Sequence, residues 1–200
     1  MLPFLRSNKM LAVSRELDMD YFKYIPYEDM LFLEVFELFQ KGKKQKIRNV
    51  LSGYVGHLDV DIDIFDYGFS LHDEYKWQSV AMVRGPKLDI PQFIMRPTHL
   101  GDKVKELFSG GDINFDLYPR FSRNYFVNGP HETNIRYLMN EPFLEYFNAR
   151  PHWSLEGLRD MFVLYRRRKR FKPADIPGFY DMALDVCTRI LEGGKAGGYL

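Results

Sequence analysis

The chain has 200 residues, of which 46% are hydrophobic and 16% aromatic, and its formal net charge at pH 7 is +1. This composition supplies enough apolar side chains for a sizeable core, which excludes a chain that is disordered throughout. The nearly neutral balance argues against a general nucleic-acid-binding protein, because such proteins carry a clear basic excess. The sequence contains no apolar run long enough to cross a bilayer. The single cysteine, Cys187, excludes an internal disulfide and is typical of a reducing compartment, so we expect a cytoplasmic protein.

The first 46 residues are predicted to form a helical segment. Residues 8–20 indicate a short helix, and residues 28–40 a second one that ends at Gly42. In the second helix Phe32, Phe36 and Phe39 recur at steps of four and three residues, so they share one face. The pattern leaves open whether this face belongs to the core or forms an exposed dimer surface.

A period of two residues begins at residue 47 and predicts a sheet. The predicted strands cover residues 47–55, 58–69, 77–84 and 93–96. The first two are joined by a tight turn at Gly56 and His57, which indicates a β-hairpin. In the second strand apolar residues alternate with aspartates, so we expect one face to be buried and the other solvated.

Helices and strands are mixed in the rest of the chain. We predict a helix over residues 99–108, a strand over residues 121–127, helices after Pro130 and Asn140, and a hairpin that turns at Arg159 and Asp160. The last helix follows Pro173, has its first turn at Pro177, and ends at Gly193 and Gly194.

These elements predict one α+β domain spanning residues 1–200. We expect a mostly antiparallel sheet of about six to eight strands, with three to five helices packed mainly on one face. Residues 1–46 form the helical N-terminal segment, residues 47–192 the α+β core, and residues 193–200 a loose tail.

Several short blocks resemble a family of uncharacterised bacterial proteins. They are residues 47–53 (IRNVLSG), 65–67 (FDY), 78–80 (QSV), 93–97 (FIMRP), 121–129 (FSRNYFVNG) and 153–157 (WSLEG). The resemblance extends from about residue 36 to residue 190 and implies a shared fold, with no established activity. Proteins with this pattern often carry a hydrophobic anchor before the domain. This sequence has none, which argues against membrane anchorage.

A row of aspartates on the second predicted strand is the first candidate site. Asp59, Asp61, Asp63 and Asp66, with His57 just upstream, could supply oxygen and nitrogen ligands to a divalent cation. Alternate residues on a strand lie roughly 7 Å apart, so a cation would need further ligands from other elements. The alternative is a solvated strand face or a charged edge.

A basic run near the C-terminus is the strongest charge feature. It consists of Arg166, Arg167, Arg168, Lys169, Arg170 and Lys172. As a basic hairpin it could contact an acidic partner, an anionic lipid surface or a phosphate, and with its neighbouring aromatics it could hold RNA. The alternative is a solvated hairpin end whose long stems cover apolar surface. A second basic run, residues 41–48, could join it in space.

The remaining reactive residues give no catalytic pattern. Asp66 is expected to accept backbone hydrogen bonds in a turn, or else to act as a catalytic carboxylate. The histidines at positions 57, 72, 99, 131 and 152 lack metal-binding spacing. Cys187 lies on the apolar stripe of the last helix, which predicts a core residue.

The leading functional hypothesis is therefore a non-catalytic interaction or ligand-binding module that acts at an anionic surface. A protein partner is equally compatible with it, nucleic acid is not expected, and no motif indicates a cofactor. The two alternatives are a metal-assisted hydrolase that uses the strand from Asp59 to Asp66 with a distant histidine, and an RNA-binding accessory protein that uses the basic run.

Overall fold

The structure is a computed structural model that describes residues 3–98 and 111–196. The helix predicted over residues 99–108 lies outside the described residues, and so does His99. Within the described part, no helix is both long enough and apolar enough to pass through a membrane.

One antiparallel sheet organises the described residues. Its eight strands are β1 (Asp20–Ile25), β2 (Lys43–Val55), β3 (Val60–Leu71), β4 (Glu74–Arg84), β5 (Ile90–Pro97), β6 (Tyr125–Asn128), β7 (Ser154–Arg159) and β8 (Met161–Tyr165). The spatial order is β1-β2-β3-β4-β8-β7-β5-β6, and every neighbouring pair is antiparallel. The predicted α+β class with a mostly antiparallel sheet is confirmed.

Helices cover both faces of this sheet. The described residues form α1 (Pro3–Glu16), α2 (Glu37–Gln40), α3 (Pro119–Asn124), α4 (Glu132–Leu138), α5 (Glu141–Ala149) and α6 (Ile176–Ala196), together with two 3-10 helices, Tyr27–Val35 and Pro173–Asp175. The larger core lies under α1, α3, α4, α5 and α6, and the smaller core lies under α2 and the first 3-10 helix.

Strand β3 shows how the two cores share the sheet. Ile62 and Ile64 belong to the larger core, whereas Phe65 and Tyr67 belong to the smaller one. One face of β3 was expected to be solvated. Asp61 is exposed, but the prediction is wrong for the residues that follow it, because helices cover both faces of the sheet there. The strand continues to Leu71 with almost every side chain buried.

Helix α1 covers Pro3–Glu16 in place of the predicted residues 8–20. The N-terminal segment differs from the prediction in two further ways. It contains an unpredicted edge strand, β1, and the helix predicted over residues 28–40 is broken. Met30 has non-helical dihedral angles and Phe36 is extended, with φ −93° and ψ 140°. The break lets both Phe36 and Phe39 reach the smaller core, where Phe32 is partly buried. Of the two alternatives, core or exposed dimer surface, Phe36 and Phe39 therefore belong to the core.

Two later segments also differ from the prediction. The strand predicted from residue 121 is helix α3 until Asn124, because Pro119 favours a helical first turn and Phe121 is fully buried. Helix α6 continues through Gly193 and Gly194 to Ala196, so the predicted helix end there is wrong. The hairpin turn between β7 and β8 lies at Asp160, as predicted.

Candidate ligand-binding cleft

A cleft opens on the α2 face of the sheet, beside strands β4, β5, β7 and β8. Its walls come from α2, from the ends of β3 and β5, and from the loop that follows β8. Its volume is about 80 Å³. This space is large enough for several water molecules or for one small polar group.

Four basic residues from three separate parts of the chain line this cleft. Lys41 follows α2, Arg96 is near the end of β5, and Arg167 and Arg168 belong to the loop after β8. Glu37 is the one acidic residue of the lining and forms an ion pair with Lys41. We call this group of four cations and the space between them the basic cleft. Its excess of positive charge attracts anions.

Packing against neighbours positions the cations. The guanidinium of Arg96 lies 5.0 Å from the ring centroid of Phe126 on the neighbouring strand. Arg168 has a positive φ of 57°, which turns the chain sharply after β8. The backbone N–H of Lys169 donates to the carbonyl of Arg166 at 3.0 Å and closes this turn.

Gln78 of β4 forms the polar floor of the basic cleft. Its residue surface is only 1% exposed, and its side-chain oxygen Oε1 accepts a hydrogen bond of 3.0 Å from the backbone N–H of Arg168. This bond fixes the orientation of the amide, since only the oxygen can accept. The nitrogen Nε2 is buried and has no hydrogen-bond partner among the described residues. A buried N–H without a partner is costly, so Gln78 holds an unused donor at the position where the residue lines the cleft.

Most of the remaining lining is apolar, and it also includes Ser154 and Tyr165. Phe69 and Ile94 are buried, whereas Leu71 and Pro97 are partly exposed at the rim. A ligand that places an anionic group among the cations could therefore bury an apolar portion against this rim.

Glu156 lies behind the basic cleft in a fully buried position. Its Oε1 accepts from the hydroxyl of Tyr165 at 2.7 Å and from the backbone N–H of Leu38 at 3.2 Å, and its Oε2 accepts from the N–H of Glu37 at 2.5 Å. Burial raises the pKa of this carboxyl to about 7. The hydrogen bonds and the charges of Lys41 and Arg96 oppose that rise. The carboxyl of Glu156 thereby ties β7 to the start of α2, one wall of the basic cleft.

The predicted basic run does not form a hairpin end. Strand β8 ends at Tyr165, so the run is a loop at the opposite end from the β7–β8 turn. Because the chain turns at Arg168, the side chains of the basic run point in different directions. Arg167 and Arg168 line the basic cleft, whereas Arg166 lies over the ring of Trp153 and donates to the carbonyl of Pro151 at 3.4 Å.

The last part of the run is divided in the same way. Lys169 and Lys172 are exposed, and the N–H of Lys172 donates to Asp175. Arg170 instead turns inward and donates to Asp66 at 2.8 Å. Of the second basic run, Lys41 joins the basic cleft and Arg48 lies over the ring of Trp77, which Arg170 also covers.

Asp66 is the centre of a buried polar network on the opposite face of the sheet. The guanidinium of Arg6 in α1 donates to both carboxylate oxygens, at 2.7 and 2.6 Å, and Arg170 donates a third bond. Asn49 and Ser79 also donate to this carboxylate. Burial opposes ionisation, but the two arginines outweigh it and hold the pKa of Asp66 below its ordinary value. Asp66 lies within β3, so the expected turn role is wrong.

The candidate metal-binding aspartates have other partners. Asp59 accepts from Tyr54 at 2.8 Å and pairs with Lys87 at 3.2 Å. Asp63 is buried with Arg84 at 3.8 Å, and burial raises its pKa. Asp61 and His57 are exposed. Within residues 3–98 and 111–196, no three histidine, cysteine or acidic side chains are grouped to hold a metal ion.

Cys187 is fully buried in the larger core, as its position on the apolar stripe predicted. Burial raises the pKa of its thiol to about 11. The thiol is therefore protonated at neutral pH and is a poor nucleophile.

The sequence patterns assign no functional role to Arg6, Gln78 or Arg96, although Gln78 and Arg96 lie in the family-like blocks. Arg96 and Glu156 are each a single polar residue within an apolar stretch of strand, and Gln78 stands with Ser79 at the start of the apolar part of β4. Such a residue must find a partner or a ligand when it is buried.

Comparison with known proteins gives no further information on this chain. No family model matches it, and no curated protein and no solved structure matches it significantly.

Proposed function

We propose that this protein is a non-catalytic binding module that recognises an anionic ligand in the basic cleft. The observation that carries the proposal is the convergence of Lys41, Arg96, Arg167 and Arg168 from three parts of the chain on one cleft. Lys41, Arg167 and Arg168 are exposed and Arg96 is partly exposed. Their like charges repel one another, and an anion bound between them is stabilised by all four.

The surroundings of the cleft support binding rather than catalysis. Its lining contains no histidine or cysteine, and its one carboxylate, Glu37, is paired with Lys41. Glu156 behind it is already engaged by two backbone N–H groups and by the hydroxyl of Tyr165. The residues therefore supply donors and positive charge, which hold an anion. The one serine of the lining, Ser154, is buried and its side chain is hydrogen-bonded to Tyr165.

Thermal unfolding with and without small anions tests the proposal. A ligand present at about 100 times its dissociation constant stabilises a folded protein by about 2.7 kcal/mol, which raises the melting temperature by a few degrees. We expect such a rise with inorganic phosphate or with hexyl phosphate, and we expect it to shrink at high salt.

A matched pair of charge reversals locates the site. Arg168→Glu alters a cation of the cleft, whereas Lys169→Glu makes the same change of charge one residue away, on an exposed side chain outside the lining. The anion-dependent rise should disappear in Arg168→Glu and persist in Lys169→Glu. Equal loss in both variants would mean that the anion responds to net charge alone and would contradict a specific cleft.

A further inference from the structure

The floor and rim of the basic cleft carry information about the ligand beyond its charge. We infer that the cleft is a site for a phosphate monoester whose phosphate lies among the guanidinium groups and accepts a hydrogen bond from Gln78, and whose ester group is apolar. This inference rests on the proposed function and names the ligand class for the same cleft.

The first argument is the number and type of donors. Arg96, Arg167 and Arg168 present planar guanidinium groups, which pair with phosphate oxygens through two parallel hydrogen bonds more readily than an ammonium does. With Lys41 they give four positive charges against one carboxylate, Glu37. A dianionic phosphate monoester matches this excess better than a carboxylate, which has one charge and fewer acceptor oxygens.

The second argument is the unused donor of Gln78. Its Oε1 is held by the N–H of Arg168, so the amide cannot rotate to exchange its oxygen and nitrogen without losing that bond. Its Nε2 is therefore a buried donor that has no hydrogen-bond partner in the described part of the chain. An anionic oxygen in the cleft would satisfy this donor and remove its desolvation cost.

The third argument is the size and polarity of the space. A volume of about 80 Å³ is enough for a phosphate group, and the rest of the ligand would extend along the rim. The partly exposed Leu71 and Pro97 form that rim, and the buried Phe69 and Ile94 lie beneath it. Apolar atoms of a ligand would be removed from water there, whereas polar groups would lose hydrogen bonds.

Isothermal titration calorimetry with a matched ligand series tests the inference. The ligands are hexyl phosphate, inorganic phosphate and heptanoate, which separate the contribution of the phosphate from that of the alkyl chain. We expect hexyl phosphate to bind the wild-type protein at least about tenfold more tightly than either of the other two. Equal affinity for hexyl phosphate and heptanoate would overturn the phosphate assignment, and equal affinity for the two phosphates would overturn the apolar ester.

Gln78→Glu is the sharpest variant for this series. It keeps an oxygen that accepts the N–H of Arg168 and replaces the Nε2 donor by an oxygen that repels phosphate. We expect the affinity for hexyl phosphate to fall at least about tenfold in this variant. Gln78→Met removes the Nε2 donor and also the Oε1 acceptor of the Arg168 N–H, without adding charge. It should weaken binding in the same direction and serves if Gln78→Glu does not fold. Unchanged affinity in both variants would overturn the role of Gln78.

The series separates failure of this inference from failure of the proposed function. Suppose that all three anions bind with the same affinity, that Arg168→Glu abolishes this binding, and that the Gln78 variants leave it unchanged. In that case the inference is wrong and the proposed function stands. If none binds the wild-type protein, both are wrong.

A last comparison identifies the source of the phosphate monoester. Vesicles containing phosphatidic acid are sedimented with the protein and compared with vesicles of the same net charge that contain phosphatidylserine. Preference for phosphatidic acid that is lost in Gln78→Glu would support a lipid headgroup as the ligand. Binding of hexyl phosphate without this preference would support a free phosphate ester, and equal binding to both vesicles together with no binding of hexyl phosphate would overturn the inference.

Discussion

The side-chain oxygen of Gln78 accepts a hydrogen bond from the backbone N–H of Arg168 at 3.0 Å, 90 residues further along the chain. This bond connects the central strand β4 to the loop after β8, and it orients both the Gln78 amide and the loop. A single buried residue thus determines where Arg168 enters the basic cleft and which atom of Gln78 remains available to a ligand.

The buried network around Asp66 predicts a large effect on stability. Asp66→Asn removes the charge that balances Arg6, and an unbalanced buried charge costs about 3–5 kcal/mol. We expect the free energy of unfolding, measured by urea denaturation, to fall by that amount. Asp61→Asn on the same strand is the control, because Asp61 is exposed and its change should stay within about 0.5 kcal/mol of the wild type. A loss at Asp66 no larger than that at Asp61 would refute the structural role.

Glu156 predicts an unusual dependence of stability on pH. Its folded pKa of about 7 exceeds the ordinary value of 4.5, so the folded chain binds a proton more tightly than the unfolded chain. The free energy of unfolding should therefore fall as the pH rises from about 4.5 to about 7, by about 3 kcal/mol in total.

Glu156→Gln removes this titration. Urea denaturation at pH 5 and at pH 8 should show that the variant loses about 2 to 3 kcal/mol less stability over this range than the wild type. Glu145→Gln, at an exposed position on α5, should follow the wild-type profile. Parallel profiles for wild type and Glu156→Gln would show that Glu156 does not carry the shift.

Two glycines predict opposite effects of the same substitution. A Cβ at Gly129 would lie 2.4 Å from the carbonyl oxygen of Gln92 and 2.5 Å from a methyl carbon of Ile135, whereas a Cβ at Gly178 would meet no atom within 4 Å. We expect Gly129→Ala to destabilise the protein by about 1–3 kcal/mol through overpacking.

Gly178→Ala lies in helix α6 and should stabilise it by up to about 1 kcal/mol, because alanine is the better helix former. Thermal unfolding of the two variants side by side measures both effects. A neutral Gly129→Ala would mean that the turn before α4 can relax.

Much of the sheet was predictable because its signals are local. The alternation from Ile47 onward, the turn at Asp160 and the apolar stripe of α6 gave the correct element types. Edge strand β1 was missed because Phe22 and Tyr24 are both exposed, so no period of two marks it. The helix predicted through Phe36 failed because burial of that residue in the smaller core outweighed the helical pattern.

The basic cleft was only partly predictable, since proximity in space is not local in sequence. The charge run drew attention to Arg167 and Arg168, but its division into cleft, surface and buried residues depends on the turn at Arg168. Nothing near Arg96 or Lys41 in the sequence shows that strand order β4-β8-β7-β5 brings them to the same cleft. The inward turn of Arg170 likewise depends on Asp66, which lies 104 residues away.

The most direct test of anion binding in the basic cleft is an amide NMR titration of the protein with hexyl phosphate. The account predicts that the side-chain amide signals of Gln78 and the backbone amide of Arg168 shift progressively and saturate, while the backbone amide of Asp61 stays in place. Absence of a saturable change at Gln78 and Arg168, with the ligand in excess, would contradict the account.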